Sequence, residues 1–240
     1  MSTTSIQDST LAKSLQRETS AEVLFDDFSR GLYSTDASIY QIMPLGVVVP
    51  ETHDDVITTL NIAYENGISV TMRGAGTSQC GQTVGEGIIV DVSKNLNHLV
   101  SVDPEKQLAT VEPGIVLDQL NGLLKKHGLF FPVDVSTSSR ATIGGMTANN
   151  SCGARSIRYG KMVDNVSEVD AVLSDGSSMR FGKWDDVTAS TFPEWHQKLV
   201  SQLIDLGSRE SDEVARRFPK VQRRVGGYNL DVLSAEPCST

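Results

Sequence analysis

The fold is indicated first by the stretch Ile68-Ser-Val-Thr-Met-Arg-Gly-Ala-Gly-Thr-Ser-Gln-Cys-Gly81, in which an apolar run ends in a glycine-rich loop. The run at 68–72 predicts a β-strand. Gly74 and Gly76 can adopt positive φ, and successive backbone N–H groups in such a turn form a site for an anion. A tight connection between two strands also uses glycines, so glycine content alone leaves both roles open.

Two familiar nucleotide-binding motifs fit this loop badly. A Walker loop needs Gly-Lys-Ser/Thr, and no lysine follows Gly74 or Gly76. A dinucleotide fingerprint, G-x-G-x-x-G, opens into a helix, whereas the next apolar run here is GIIVDV at 87–92, which predicts a strand. Thr77 and Ser78 add hydroxyl donors to the loop. A phosphate site built from backbone amides, without a lysine, remains consistent with the sequence.

A second stretch of small and polar residues runs over 136–160 and reads STSSRATIGGMTANNSCGARSIRYG. It lacks an alternating apolar pattern, so we expect it to pack poorly as ordinary core. The glycine pair Gly144-Gly145 allows a close approach of the backbone to a ligand. The alternative is a long polar surface loop, although loops beyond about 12–15 residues are uncommon unless they are functional or disordered. Ile143, Met146 and Tyr159 argue against disorder.

Charge is distributed unevenly along the 240 residues. The net charge is −9, which disfavours a partner such as DNA or RNA. The two longest stretches without Asp or Glu are 66–85 and 135–163; they contain five basic residues, so the rest of the chain has a net charge of −14. A surface with few carboxylates and accessible backbone N–H groups suits a small ligand that carries a pyrophosphate.

Strands and helices alternate along the chain, which indicates an α/β or α+β fold. Residues 1–40 are expected to form a helical arm, with an apolar stripe that includes Leu15, Val23 and Phe28 and with Gly31 at its end. Thr52 and Asp55 predict the capped start of a helix. Expected strands lie at 46–50, 68–72, 87–92, 99–102, 108–111, 166–173 and 178–181, and expected helices at 52–66, at 116–126 and after residue 184.

The two motifs, RGAGTSQCGQ at 73–82 and the stretch at 136–160, together resemble the flavin-binding part of FAD-linked oxidases of the vanillyl-alcohol oxidase and p-cresol methylhydroxylase type. Within that family the sequence is most similar to the FAD-linked 2-hydroxy-acid dehydrogenases, and the similarity extends over about 34–230. The resemblance implies an α+β fold in which two α/β subdomains sandwich FAD. It implies an FAD-binding region at 41–185, with a pyrophosphate loop at 73–81 and a second flavin motif at 136–160, and a helical segment at 186–240.

The resemblance also implies which residues bind the cofactor. The first loop should hold the pyrophosphate, mainly through backbone amides, and the second motif should follow the ribityl chain and the isoalloxazine edge. Some members attach flavin through a histidine where this chain has Thr77, so we expect non-covalent FAD. Many relatives have glycine where this chain has Ala75. The expected cofactor-binding residues are Arg73, Gly74, Ala75, Gly76, Thr77, Ser78, Gln79, Ser138, Ser139, Thr142, Gly144, Gly145, Asn149, Asn150 and Gly153.

The implied reaction is oxidation of a D-2-hydroxy acid, with hydride transfer to flavin and electrons passed to an acceptor other than nicotinamide. The family's substrate domain is missing before Thr240, so the chain is expected to be truncated and its catalytic residues are unknown. Alternatives are a non-catalytic nucleotide-binding module and an interaction fragment. No metal site is expected. The three cysteines and the lack of a signal or membrane span indicate a cytoplasmic protein, with an iron–sulfur or peripheral membrane partner as a further expectation.

Several other residues carry chemistry without a visible partner in the sequence. The four histidines are expected to be exposed or to cap helices, and Cys152 to pack as a small apolar residue. Asp91 and Asp164 have no visible acid–base partner. A basic run near the end is expected to be a solvated helix face, with an anionic membrane or a partner subunit as the alternative. The histidines and the basic run are His53, His98, His127, His196, Arg216, Arg217, Lys220, Arg223 and Arg224.

Overall fold

The computed structural model describes residues 3–182, 192–221, 224 and 227–234. The chain divides into two compact units, the first comprising 1–166 and 170–178 and the second 167–169 and 179–240. The start of the expected helical segment, at 186–191, lies outside the described residues. Every described residue of the two sequence motifs belongs to the first unit.

A four-stranded sheet organises the first unit. Its strands are β1 (Glu22–Leu24), β2 (Gly46–Val49), β3 (Val70–Arg73) and β4 (Ile88–Asp91), in the order β1-β2-β4-β3. The last three strands are parallel and β1 is antiparallel to β2. Every residue of β2 and β4 is buried, as expected for parallel strands covered on both faces. The strands predicted at 46–50, 68–72 and 87–92 are confirmed.

Three helices accompany this sheet: α1 (Thr3–Glu18), α2 (Asp27–Tyr33) and α3 (His53–Glu65). The expected capping box at the start of α3 is confirmed, because Thr52 and Asp55 bond reciprocally to each other's backbone. The continuous helical stripe over the arm is wrong, because Val23 and Leu24 lie in strand β1 and extend the sheet. Leu11 and Leu15 of α1 pack into the core formed by β2, β4 and α3.

A second core follows along the chain. Strands β5 (Leu99–Asp103) and β6 (Leu108–Val111) pair antiparallel, and α4 (Leu117–Leu124) is followed by a 3₁₀ turn that ends at Gly128 with φ +69°. The expected strands and helix are confirmed. Three short helices come next: α5 (Ile143–Ala148), α6 (Ser156–Tyr159) and α7 (Met162–Asn165).

The second motif contributes directly to this second core. Ala141, Ile143 and Met146 are buried there, packed with Ile115 and Leu120. The expectation that the stretch packs poorly as core is therefore wrong. An i, i+3 spacing of two large apolar residues is enough to seat a short helix.

Two further strands, β7 (Val169–Val172) and β8 (Ser178–Phe181), form a two-stranded sheet around a turn at Gly176, whose φ is +79°. The predicted hairpin is confirmed, although β7 is shorter than expected. The second unit continues with α8 (Glu194–Arg209), α9 (Ser211–Arg217) and α10 (Leu230–Ser234). Gly207 of α8 allows close packing of α10, since a Cβ there would lie 2.4 Å from the Leu233 carbonyl oxygen.

The second unit changes two expectations about charged side chains. His196 is buried rather than exposed, and its ring packs between Phe192 and Trp195. Arg224 lies over the Phe218 ring and pairs with Asp231, so it does not belong to a solvated face. Other members of the basic run, Arg216, Arg217 and Lys220, are exposed as expected, and both arginines pair with Glu213. Arg223 lies outside the described residues.

Among the described residues of the two units, no helix combines the length and the apolar character that a membrane span needs.

Candidate functional site

The loop at 74–79 leaves the carboxyl end of β3, within the first sequence motif. None of these six residues is buried, and among the residues that the structure describes their backbone N–H groups donate to no protein acceptor. Gly76 has φ +66°, a conformation that other L-residues rarely adopt. The loop therefore presents a row of unused donors to an external acceptor.

The Arg73 side chain points into the protein beside this loop. Its Nη1 donates to the carbonyl oxygens of Tyr33 and Thr83, both at 3.2 Å, and its Nη2 donates to that of Thr35 at 2.8 Å. Ala37 N–H donates to the Gly76 carbonyl at 3.0 Å. The segment after α2 thus supports the loop through main-chain groups, which carry no side-chain pattern in the sequence.

Asp91, at the end of β4, is buried and has partners that the sequence did not reveal. Its Oδ2 accepts the Tyr33 hydroxyl at 2.7 Å, and its Oδ1 accepts from the amide and the hydroxyl of Ser93. Burial raises the pKa of Tyr33 far above its ordinary value, and the Asp91 carboxylate raises it further. The pair is a neutral phenol that donates to a carboxylate.

The second motif contains α5, which begins directly after Thr142. Thr142 caps this helix, with its Oγ1 accepting from Gly145 N–H at 3.3 Å. Gly144 N–H donates to the Pro113 carbonyl at 2.8 Å, and a Cβ on Gly144 would lie 2.6 Å from Pro113 Cβ. Gly144 is therefore required by contact with the protein. Ser139 and Gly145 are exposed, and the Ser138 carbonyl accepts from the Asp118 amide.

The structure brings the two motifs together within the first unit. A Cβ on Gly74 would lie 2.3 Å from Thr142 Oγ1, so the loop and the cap of α5 are in direct contact. Gln82 Nε2 donates to Asn149 Oδ1 at 3.2 Å, which forms a second connection. The first loop and the start of α5 therefore lie next to each other in the structure.

The far end of the second motif is used for internal packing. Asn150 has φ +44°, and its Oδ1 accepts from Val163 N–H at 3.0 Å. A Cβ on Gly153 would lie only 1.3 Å from the Asp134 carbonyl oxygen, so the backbones meet there. Of the expected residues, the exposed ones are Ala75, Gln79, Ser139, Gly145 and Asn149.

Two of the histidines expected to lack partners meet at Glu112. His53 Nε2 lies 3.1 Å from Glu112 Oε1, and His98 Nδ1 lies 2.6 Å from Oε2. Burial alone would raise the Glu112 pKa, but hydrogen bonds from the amide and ring of His98 and from His53 outweigh it and hold the pKa below its usual value. Within the described ranges, no three His, Cys, Asp or Glu residues are placed to hold a metal ion.

The donor set of the site fits a diphosphate. It combines six main-chain N–H groups that donate to no acceptor among the described residues with the Thr77 hydroxyl, and residues 66–85 contain no Asp or Glu that would repel an anion. Main-chain amides in a turn bind phosphate oxygens without requiring a lysine.

Comparison with known proteins agrees with this geometry. A family model described as an FAD binding domain matches residues 44–182. D-2-hydroxyglutarate dehydrogenase of Pseudomonas putida is 34% identical over 221 residues, which are 90% of this chain and 22% of the relative. Glycolate oxidase subunit GlcD of Bacillus subtilis is 37% identical over 162 residues, which are 66% of this chain and 34% of the relative.

Solved structures show the same fold. An alkyldihydroxyacetonephosphate synthase superposes with a TM-score of 0.67 at 19% identity, over 74% of this chain and 36% of that one. Among the sequence relatives, the chain spans about a fifth of the length of the D-2-hydroxyglutarate dehydrogenases, at 20–22%.

Proposed function

Because this chain belongs to the FAD-binding domain family, we propose that it is the flavin-binding part of an FAD-dependent oxidoreductase that oxidises a D-2-hydroxy acid. The observation that carries the proposal is the contact between Gly74 and Thr142. It places the loop of unused amides beside the second flavin motif, as a shared site for the phosphates and the flavin end of the cofactor requires.

Each motif has its own part in holding FAD. The amides of residues 74–79 hold the pyrophosphate, assisted by the Thr77 hydroxyl. The exposed residues of the second motif, Ser139, Gly145 and Asn149, lie along the ribityl chain and the ring edge. Thr77 offers no imidazole for attachment, so FAD binds non-covalently.

The bound flavin supplies the chemistry, by accepting a hydride from the carbon that bears the substrate hydroxyl. The described residues of this chain bind and orient it. The groups that bind and deprotonate the hydroxy acid lie in parts of the enzyme beyond the aligned fifth. D-2-hydroxyglutarate is the first substrate to test, because the relatives that align over 82–90% of this chain carry that name. D-lactate and glycolate follow from the names of shorter matches.

A spectroscopic experiment on the natural protein that contains this chain tests the proposal. The purified protein should show flavin absorbance, and trichloroacetic acid should release all of the FAD into the supernatant, as expected for a non-covalent complex. Anaerobic D-2-hydroxyglutarate, D-lactate or glycolate should bleach the oxidised flavin, whereas L-2-hydroxyglutarate and L-lactate should leave it oxidised. NAD⁺ should not reoxidise the reduced enzyme.

Two results would overturn parts of the proposal. A colourless protein that also rejects added FAD would exclude the flavin site. Bound flavin that none of the 2-hydroxy acids reduces would exclude the substrate class and leave a nucleotide-binding role.

A further inference from the structure

We propose that Arg73 is a positioning residue, whose guanidinium shapes the pyrophosphate loop from behind and does not act as a charge on the phosphates. The inference rests on the proposed function and names a device within the same site. Arg73 is the basic residue nearest in sequence to the amides of 74–79, and its side chain is turned into the protein.

The three carbonyl groups that Arg73 binds come from separate places in the chain. Tyr33 ends α2, Thr35 lies in the segment after it, and Thr83 lies beyond the loop. The planar guanidinium has five N–H donors in a fixed fork, whereas a lysine ammonium is a point charge that cannot span such a set. Arg73 thereby connects both sides of the loop to the end of α2.

Gly76 lies directly against this side chain. A Cβ on Gly76 would be 2.8 Å from Arg73 Nη2, and the Gly76 carbonyl is held by Ala37 N–H. Gly76 is also the residue of the loop with positive φ. The guanidinium therefore supports the point at which the loop turns.

Tyr33 and Asp91 hold Arg73 in place. Arg73 Cζ lies 5.2 Å from the centroid of the Tyr33 ring, a cation–π contact, and the Tyr33 hydroxyl donates to buried Asp91. Arg73 and Asp91 are register partners at the ends of β3 and β4. The chain Asp91–Tyr33–Arg73 thus links the rigid end of the parallel sheet to the loop.

Replacing Arg73 with lysine or alanine separates the effect of the guanidinium's shape from the effect of its charge. R73K keeps the positive charge but loses the fork, and R73A loses both. If Arg73 acts through the loop, both variants should raise the FAD dissociation constant by about tenfold or more, the effect of at least one strong hydrogen bond. R30A is the matched control, because Arg30 also donates to a main-chain carbonyl, that of Pro44, in the same unit. Its FAD affinity should stay within about twofold of wild type.

Hydrogen exchange of the apoprotein provides a readout that does not depend on FAD. The Ala37 amide, which donates to the Gly76 carbonyl, should exchange faster in R73K and R73A, while the amides of α4 should be unchanged. Y33F should raise the FAD dissociation constant by about two- to tenfold, because it removes one hydrogen bond and keeps the ring. This milder variant also serves where R73A fails to fold.

The outcomes distinguish this inference from the proposed function. Wild-type affinity in R73K together with weak binding in R73A would show that charge matters and overturn the inference alone. Unchanged exchange of the Ala37 amide in both variants would also overturn it. Failure of the wild-type protein to bind FAD would overturn the proposed function, while the exchange experiment would still test whether Arg73 shapes the loop.

Discussion

Gly74 and Thr142 touch so closely that a Cβ on Gly74 would lie 2.3 Å from Thr142 Oγ1. Thr142 is itself held, because the same oxygen caps α5 by accepting from Gly145 N–H. The residue that follows β3 is therefore in contact with the N-cap of α5, within the second flavin motif. This contact unites two segments that are far apart in the sequence.

G74A should weaken the contact between the loop and the N-cap of α5. The added methyl group forces Thr142 away from its cap or moves the loop, and overpacking of this kind costs about 1–3 kcal/mol. We expect a lower free energy of unfolding, measured by urea titration, and weaker FAD binding. G122A is the control, because a Cβ there meets nothing within 4 Å. In the interior of α4 it should stabilise by about 0.5–1 kcal/mol. Wild-type stability and FAD affinity in G74A would show that the contact between Gly74 and Thr142 contributes to neither folding nor FAD binding.

G76V should abolish FAD uptake. Gly76 has φ +66°, where a β-branched side chain is strained by more than the roughly 1–2 kcal/mol typical of an ordinary residue. Its amide is also one of the six at 74–79 that are proposed to bind the phosphates. G67V separates strain from binding, because Gly67 has φ +64° and open space around it. Both variants should lose stability in thermal melts, but G67V should still bind FAD. Equal FAD affinity in the two variants would refute the role of Gly76.

D55N should lower the free energy of unfolding at neutral pH. It should also make that free energy fall less steeply as the pH is lowered. Burial alone would raise the pKa of Asp55, but hydrogen bonds from Ser20, Thr52 and Glu51 outweigh it and hold the pKa below its usual value. The stabilising effect is thus fully present above the unfolded pKa, near 4 for aspartate, and disappears as pH falls through the lower folded value.

Urea titrations over a range of pH values measure this effect. D54N is the control for D55N, since Asp54 is an exposed neighbour on the same first turn of α3. The two variants should differ clearly at pH 7 and converge in acid. A difference that is independent of pH would contradict the role of the Asp55 carboxylate.

Local sequence patterns predicted most of the sheet. The runs at 46–49 and 88–91 are short, apolar and β-branched, which suits parallel strands buried on both faces. Strand β1 was missed because it has three residues and its partner β2 is distant in sequence. Helix α5 was missed because the glycine pair hides the capping residue Thr142 and the spacing of Ile143 and Met146.

The site was predicted less completely than the sheet. The glycine loop and the second motif have sequence patterns, and the structure joins them. The supports of the loop act through the main-chain carbonyls of Tyr33 and Thr35, and a carbonyl group has no side-chain identity to recognise. The partners of Glu112 could not be predicted for a different reason, because its two histidines come from other segments of the chain.

Titration of the apoprotein with FAD and with riboflavin, which lacks the pyrophosphate and the adenosine, tests whether residues 74–79 bind the phosphates. The amide loop should recognise the phosphates through charge-assisted hydrogen bonds, so FAD should bind at least about a hundredfold more tightly than riboflavin. The G76V variant should lose this preference, while G67V should keep it. Equal affinity of the wild-type protein for FAD and riboflavin would contradict a pyrophosphate site at residues 74–79.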